Sequence, residues 1–299
     1  MNNIITRNPH KNESAALRDI WETAFGTAGM ESFLSCFFDP ELCMIAEVDN
    51  SPAAAGYLVP YGDLLCTVCS SDTIPCAMIY AVATMPEHRG KGLGTSVVNA
   101  LIGRAHETGY PAVVLCPLDD GLFGYYGSRS ELSDHFYVSE LVLKDIPSKP
   151  VCGLPVPERI NATIYNDIRE EFLKDIVHIK HDLRIVEYQE LLCSELGGGL
   201  YRIGDSCAII ERQNESTVWV KEFLSPLPKS GDMTSNDAVE KIMSVISGLF
   251  PAREYMIRFP SYIDKGRRFG MLAQKDAIGG NIQKINEAEY SPWYGIAFD

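Results

Sequence analysis

The chain has 299 residues, 46% of them hydrophobic and 22% charged, with 40 acidic against 26 basic side chains and a formal charge of −14. That length accommodates two domains at roughly 100–200 residues each, and no apolar run approaches the roughly 20 residues that span a bilayer. The acidic balance argues against nonspecific nucleic-acid binding, which Lys and Arg drive by neutralising phosphates; it is compatible with a cationic amine substrate and equally with a solubilising surface.

The first residues show no signal-peptide core. The nine cysteines, an odd number, are therefore expected as reduced thiols in a cytoplasmic compartment. Residues 14–38 read as helices. Leu17, Ile20, Trp21, Ala24 and Phe25 share a face that Gly26 stops, and a second segment through Phe33, Phe37 and Phe38 closes at Pro40. Apolar runs at 43–48 and 53–59 flank Asp49-Asn50-Ser51-Pro52 and read as a hairpin. A further strand is expected at 64–69, before a central one at 77–84. Cys66-Thr67-Val68-Cys69 has CxxC spacing without a second pair, and His178-Ile179-Lys180-His181 is equally isolated, so no structural metal is expected.

The most informative stretch is 78–95. Residues 78–82 form an apolar run, and Pro86 removes a backbone donor and ends any ladder. Arg89-Gly90-Lys91-Gly92-Leu93-Gly94 then opens a helix on which Leu93, Val97, Val98, Leu101, Ile102 and Ala105 share one face. A strand, a glycine-rich turn and a helix beginning there make an anion site. First-turn N–H groups point outward, glycines let a phosphate approach, and Arg89 and Lys91 add charge-assisted bonds. The plainer reading is a surface turn with two solvated cations. A Walker loop requires Ser or Thr after Gly-Lys, and a dinucleotide fingerprint spaces its glycines as G-x-G-x-x-G; neither matches.

Gly109-Tyr110-Pro111 turns the chain into a short strand at 112–116. Residues 136–143 alternate as a strand. Pro147, Pro150, Pro155 and Pro157 mark 146–160 as a linker. In the second half, a helix at 188–196 stops at Gly197-Gly198-Gly199. Strands follow at 207–211 and 218–224, then a helix over 237–249 with Ser235 or Asn236 as cap, a strand at 254–259 and a last apolar one at 293–298. This repeats the order of the first half, but Ser225-Pro226-Leu227-Pro228-Lys229-Ser230 replaces the glycine turn, and its prolines remove donors.

The Arg89–Gly94 segment, with its lead-in Val82-Ala83-Thr84-Met85-Pro86-Glu87-His88, resembles the Arg/Gln-x-x-Gly-x-Gly/Ala signature of the GNAT superfamily of acyl-CoA-dependent N-acyltransferases. The resemblance implies an α+β fold with a mixed, mostly antiparallel sheet. It assigns 1–145 to a catalytic GNAT domain, 146–160 to a linker and 161–299 to a degenerate GNAT-like domain, an arrangement similar to the Eis-like two-domain branch; the alternative for the second half is a sterol-carrier-like domain. It implies acetyl-CoA as co-substrate, with pantetheine along Val82, Ala83 and Thr84, pyrophosphate on the N–H groups of Arg89, Gly90, Lys91, Gly92, Leu93, Gly94 and Thr95, and a main-chain donor near Val82 polarising the acyl carbonyl.

In the same family a short helix often reads Leu-Phe-x-x-Tyr followed by Gly-Phe. Leu122, Phe123 and Tyr126 match, whereas Ser128-Arg129-Ser130 replaces the Gly-Phe. Tyr126 is thereby the implied general acid and Tyr125 the runner-up; a register anchored on Gly121 would put Phe123 there, with no hydroxyl. Asp119, Asp120, Glu131 and the terminal carboxylate of Asp299, which reaches the active site in the Eis branch, stand as alternative bases. The implied activity is transfer of an acetyl group to a primary amine, on a small molecule or a peptide, by direct attack in a ternary complex. A non-catalytic acyl-CoA-binding regulator or scaffold and a nucleotide-binding protein are the rivals. No nucleic acid, membrane or metal partner is expected, and the acceptor and oligomeric state stay open.

Overall fold

The computed structural model describes residues 4–65, 73–146, 156–226, 236–261, 266–275 and 290–298, with backbone alone over 236–242. The chain divides into two units, one of Met1–Cys66, Ser71–Phe136 and Arg268–Lys284, the other of Thr67–Ser70, Tyr137–Arg267 and Ile285–Asp299. The first half of the chain runs β1 (Ile5–Arg7), α1 (Ser14–Phe25), α2 (Met30–Phe37), β2 (Cys43–Val48), β3 (Ser51–Leu65), β4 (Thr73–Thr84), α3 (Leu93–Glu107), β5 (Ala112–Leu115), α4 (Asp120–Gly127) and β6 (Ser133–Lys144). The second runs β7 (Glu158–Ile160), α5 (Ala162–Leu173), β8 (Ile179–His181), α6 (Leu183–Glu195), β9 (Gly199–Ile203), β10 (Ser206–Arg212), β11 (Thr217–Leu224), α7 (Asn236–Leu249), β12 (Glu254–Pro260) and β13 (Arg267–Gln274).

In the first unit β1, β2, β3 and β4 pair antiparallel in sequence, β5 joins β4 in parallel, and β13 closes on β5 antiparallel. Asp49 and Asn50 take left-handed φ values of 52° and 62° between β2 and β3, the conformation of a tight hairpin turn. Residues alternate across the sheet, so the strands serve two layers. Ala54, Leu58 and Ile79 meet α3 through Leu93, Val97, Val98 and Leu101. Tyr57 and Tyr80 face the other way, their rings 5.7 and 5.9 Å from Trp21.

The second unit repeats this pattern. β7, β9, β10 and β11 pair antiparallel in that order, β12 joins β11 in parallel, and the later part of β6 closes on β12 antiparallel. Ala208, Ile210, Val218, Val220, Tyr255 and Ile257 form a core with Met243, Ile246 and Phe250 from α7 and the turn after it. Elsewhere in this unit the interior is ionic. Arg169 of α5 donates to Glu222 of β11 at 3.1 Å, and Glu222 also accepts from the Tyr165 hydroxyl at 2.8 Å and the Trp293 indole at 2.6 Å. All four side chains are fully buried, where an ion pair persists only with its remaining hydrogen-bonding capacity largely filled. Burial, and the charge on Glu222, push the Tyr165 phenol well above its ordinary range.

Several elements differ from the sequence reading. Residues 64 and 65 end β3 rather than starting a new strand, and the rest of the expected 64–69 segment, with its CxxC, lies outside the described residues. The 293–298 segment is not a strand: among the described residues its recorded bridge is Trp293 beside His178, and Gly295 has a left-handed φ of 82° against the buried Arg169 and His181. β1, β7, α5, β8, β9 and β13 were not anticipated, and β7 (Glu158–Ile160), paired with β9, takes the end of the expected 146–160 linker into the sheet. Most of the expected linker, 147–155, and most of the Ser225–Ser230 stretch also lie outside the described residues. His178 and His181 are buried: His178 contacts the Ile176 carbonyl at 2.7 Å and Glu170 at 3.2 Å, and His181 accepts from the Ile296 N–H at 3.2 Å.

Candidate active site

The parallel pairing of β4 with β5 covers only Cys76↔Ala112 to Ile79↔Leu115. Beyond it, β4 continues to Thr84 on β3 alone, with Tyr57 opposite Tyr80 and Ala55 opposite Ala83. Ala81 and Val82 therefore oppose the single residue Gly56, a β-bulge that bends its strand, with Ala81 at a left-handed φ of 49°. Gly56 has a steric reason. A Cβ there would lie 3.0 Å from both Leu101 and Val97 and 3.1 Å from Val82, so only a glycine lets α3 approach the bulge. Past Ile79, β5 has ended, so among the described residues the main chain of Val82, Ala83 and Thr84 has pairing recorded with β3 alone.

This strand end leads directly into the glycine turn. Gly90 and Gly92 have φ values of 74° and 85°, and Gly92 is the N-cap of α3 without a side-chain cap. The first helical bond of the turn runs from Ser96 N–H to the Gly92 carbonyl at 3.0 Å, so the N–H groups of Leu93, Gly94 and Thr95 precede the helix's own partners. A Cβ on Gly94 would stand 3.4 Å from the Thr84 hydroxyl, which measures how closely the helix start meets the strand end. The two cations brace the turn: Arg89 Nε donates to the Thr84 carbonyl at 3.1 Å, and Lys91 Nζ to the Glu87 carbonyl at 3.0 Å.

α4 carries the two tyrosines, and their surroundings separate them. Asp119 caps the helix by accepting from Leu122 N–H at 3.0 Å. Phe123 and Tyr126 are buried against Leu93, Leu115 and Met271. Burial, then the neighbouring Tyr125 and Asp119, push the Tyr126 phenol up to about 12, so it is protonated throughout the neutral range. Tyr125 meets the Tyr126 ring edge-on at 5.3 Å, but its hydroxyl lies 2.6 Å from Thr95 Oγ1 in the first turn of α3.

The carboxylates expected as bases differ in setting. Asp119 is occupied as a cap, and Asp120 pairs with Arg268 at 3.0 Å. Glu131 borders a cleft of about 490 Å³ with Asn99, His106, Ser128, Arg129 and Ser130, and Asp299 lies outside the described residues. The sequence reading missed Arg268, whose guanidinium also covers the Phe123 ring at 4.8 Å; the apolar run 269–273 was the available signal for its strand. It also passed over His135, whose burial lowers its pKa to about 4. Among the described residues, no group of three or more His, Cys, Asp or Glu could hold a metal ion, and no helix is long and apolar enough to cross a membrane.

The bulged end of β4, the glycine turn and the start of α3 all fall within one stretch that has a recognisable family. Residues 13–123 match the acetyltransferase (GNAT) family, and the chain accordingly carries a GNAT-type acyltransferase domain. None of the curated proteins matches the sequence. Among solved structures, a GCN5-related N-acetyltransferase from Kribbella flavida shares the fold over 92% of this chain and 72% of its own, with a TM-score of 0.63 at 14% identity. One from Anabaena variabilis does so over 90% and 72%, with a TM-score of 0.64 at 16% identity. Eis1 from Mycobacterium abscessus is similar over 93% and 75%, with a TM-score of 0.59 at 12% identity, in keeping with the two-domain branch that the sequence resembles.

Proposed function

We propose that the chain is an N-acetyltransferase that moves the acetyl group of acetyl-CoA to a primary amine by direct attack in a ternary complex. The observation that carries this reading is the junction of the Val82–Thr84 strand end, beyond the last β4–β5 pair, with the uncapped start of α3. Backbone groups of Val82, Ala83 and Thr84 hold the pantetheine arm, and the N–H groups of residues 89–95 hold the pyrophosphate, as helix starts do. A main-chain donor near Val82 polarises the thioester carbonyl as charge develops on its oxygen. The neutral amine adds to that carbon, the C–N bond forms and the C–S bond breaks. Tyr126 delivers its phenolic proton to the departing sulfur, and a base takes the ammonium proton. Asp119, Asp120, Glu131 and the chain terminus remain the alternatives for that base. The acceptor is a small-molecule or peptide amine, and the excess of acidic side chains suits a cationic one.

Titration calorimetry with acetyl-CoA, compared between the parent chain and Gly94→Leu, tests the cradle. The expected result is a loss of affinity of about tenfold or more, and undiminished binding removes the assignment. A non-catalytic acyl-CoA sensor is the second reading, favoured by the Ser128-Arg129-Ser130 departure after Tyr126. Thiol release across a panel of amines separates the two: a sensor releases none.

A further inference from the structure

The Ser128-Arg129-Ser130 sequence is not an idle replacement. Ser128 Oγ donates to the carbonyls of Gly124 and Tyr125, at 2.8 and 3.2 Å. The Arg129 guanidinium donates to Ser128 Oγ at 2.9 Å and lies 4.7 Å over the Tyr125 ring, a cation–π contact. Ser130 Oγ donates to the Tyr126 carbonyl at 2.9 Å, and the Arg129 carbonyl accepts from Asn99 of α3 at 3.1 Å. Every one of these contacts fixes the end of α4, and together they fix the Tyr125 ring against α3. The ring's hydroxyl then meets Thr95 Oγ1 at 2.6 Å.

We infer that Tyr125 is a positioning residue of the cofactor cradle: its hydroxyl orients Thr95 so that the threonine O–H and N–H together face the pyrophosphate of the acyl donor. Either hydroxyl can donate across this contact; in the inferred arrangement the phenol donates and fills a lone pair on Thr95 Oγ1. The threonine proton is then left to donate. A helical threonine commonly returns that proton to the carbonyl four residues earlier, as Thr108 does toward Arg104 at 2.9 Å; among the described residues Thr95 makes no such bond to Lys91. With its lone pair taken and its proton free, Thr95 is a preset donor beside the unpaired N–H groups of Leu93 and Gly94. Tyr125 and Tyr126 thus divide the work, one organising phosphate binding and the other facing proton transfer.

This inference rests on the acetyl-CoA reading above, and its test separates the two. Binding of acetyl-CoA and of acetyl-pantetheine, which lacks the pyrophosphate, is measured by calorimetry for the parent chain, Tyr125→Phe, Thr95→Val, Thr95→Ser and the Tyr125→Phe/Thr95→Val pair. Tyr125→Phe is expected to weaken acetyl-CoA by roughly fivefold, one hydrogen bond's worth, and to leave acetyl-pantetheine unchanged. The pair should lose no more than Thr95→Val alone, the mark of two residues acting as one, and Thr95→Ser should retain parent affinity. Equal weakening of both ligands, additive losses or an unaffected Tyr125→Phe would overturn the inference while leaving the cradle in place. A parent chain that does not prefer acetyl-CoA to acetyl-pantetheine removes the cradle, and the inference with it.

Discussion

Two adjacent tyrosines on one short helix have different chemistry because a helix turns 100° per residue. Tyr126 falls inward among Phe123, Leu122 and Leu132, where burial penalises the phenolate; Tyr125 falls toward Thr95. A phenol pushed up to about 12 keeps its proton throughout the neutral range. The expected consequence for Tyr126→Phe is a fall in kcat of roughly a hundredfold, in the range of general acid catalysis, with the KM for acetyl-CoA nearly unchanged. Steady-state kinetics decides it, and an unaltered kcat moves the acid elsewhere. The sign of the pKa shift adds a second expectation. Because the folded phenol holds its proton above the ordinary value of about 10, stability from this group is full below pH 10 and is lost as pH rises toward 12, and kcat should show no alkaline inflection from Tyr126 below pH 10.

The element that sets the site is the bulge of β4, and the bulge depends on the strand beside it. Gly56 is the single residue opposite Ala81 and Val82, and α3 rests on it through Val97 and Leu101. Gly56→Val would place a branched side chain where a bare Cβ already crowds three neighbours at 3.0–3.1 Å. Such overpacking costs about 1–3 kcal/mol, and relief requires α3 to move off the sheet, carrying Gly94 and Thr95 away from Thr84. A lowered Tm together with weakened acetyl-CoA binding is expected. A variant with the parent Tm would show that the helix has room to spare. Strand β11 carries a similar irregularity, with Lys221 left over where Ile209↔Glu222 gives way to Ile210↔Val220. There the neighbouring position holds the buried Glu222, tied to Arg169. A buried carboxylate with three donors is poor ground for a thioester.

At the scale of the whole molecule, the domain boundaries that the sequence suggests follow chain order, whereas the pairing interleaves the two ends. β13 completes the first sheet through Met271↔Leu115 and Gln274↔Ala112, and β6 completes the second through Lys144↔Glu254 and Val138↔Pro260. A fragment of residues 1–145 therefore lacks the strand that covers Ala112–Leu115, four residues buried throughout. An uncovered apolar edge of this kind recruits other chains. The 1–145 fragment is expected to aggregate or to show no cooperative melting by circular dichroism, while the full chain melts cooperatively. A stable, monomeric fragment would show that β13 is dispensable.

What the sequence determined by itself is local. The glycine spacing, the apolar face of α3 and the strand before it lie within about 30 consecutive residues, and periodicity, backbone freedom and a missing donor at Pro86 are all properties of neighbours along the chain. The same holds for α1, α2 and the hairpin. The tertiary structure decided what depends on distant partners. Arg268 reaches Asp120 across 148 positions, Trp293 finds Glu222 across 71, and the Tyr125 hydroxyl finds Thr95 across 30. None of these pairs has a spacing that repeats, so no periodicity announces it. β13 illustrates the limit most plainly. Its residues Phe269, Met271 and Ala273 are buried, but an apolar run does not say which strand it will join; only folding a chain whose first sheet lacks an edge supplies that partner.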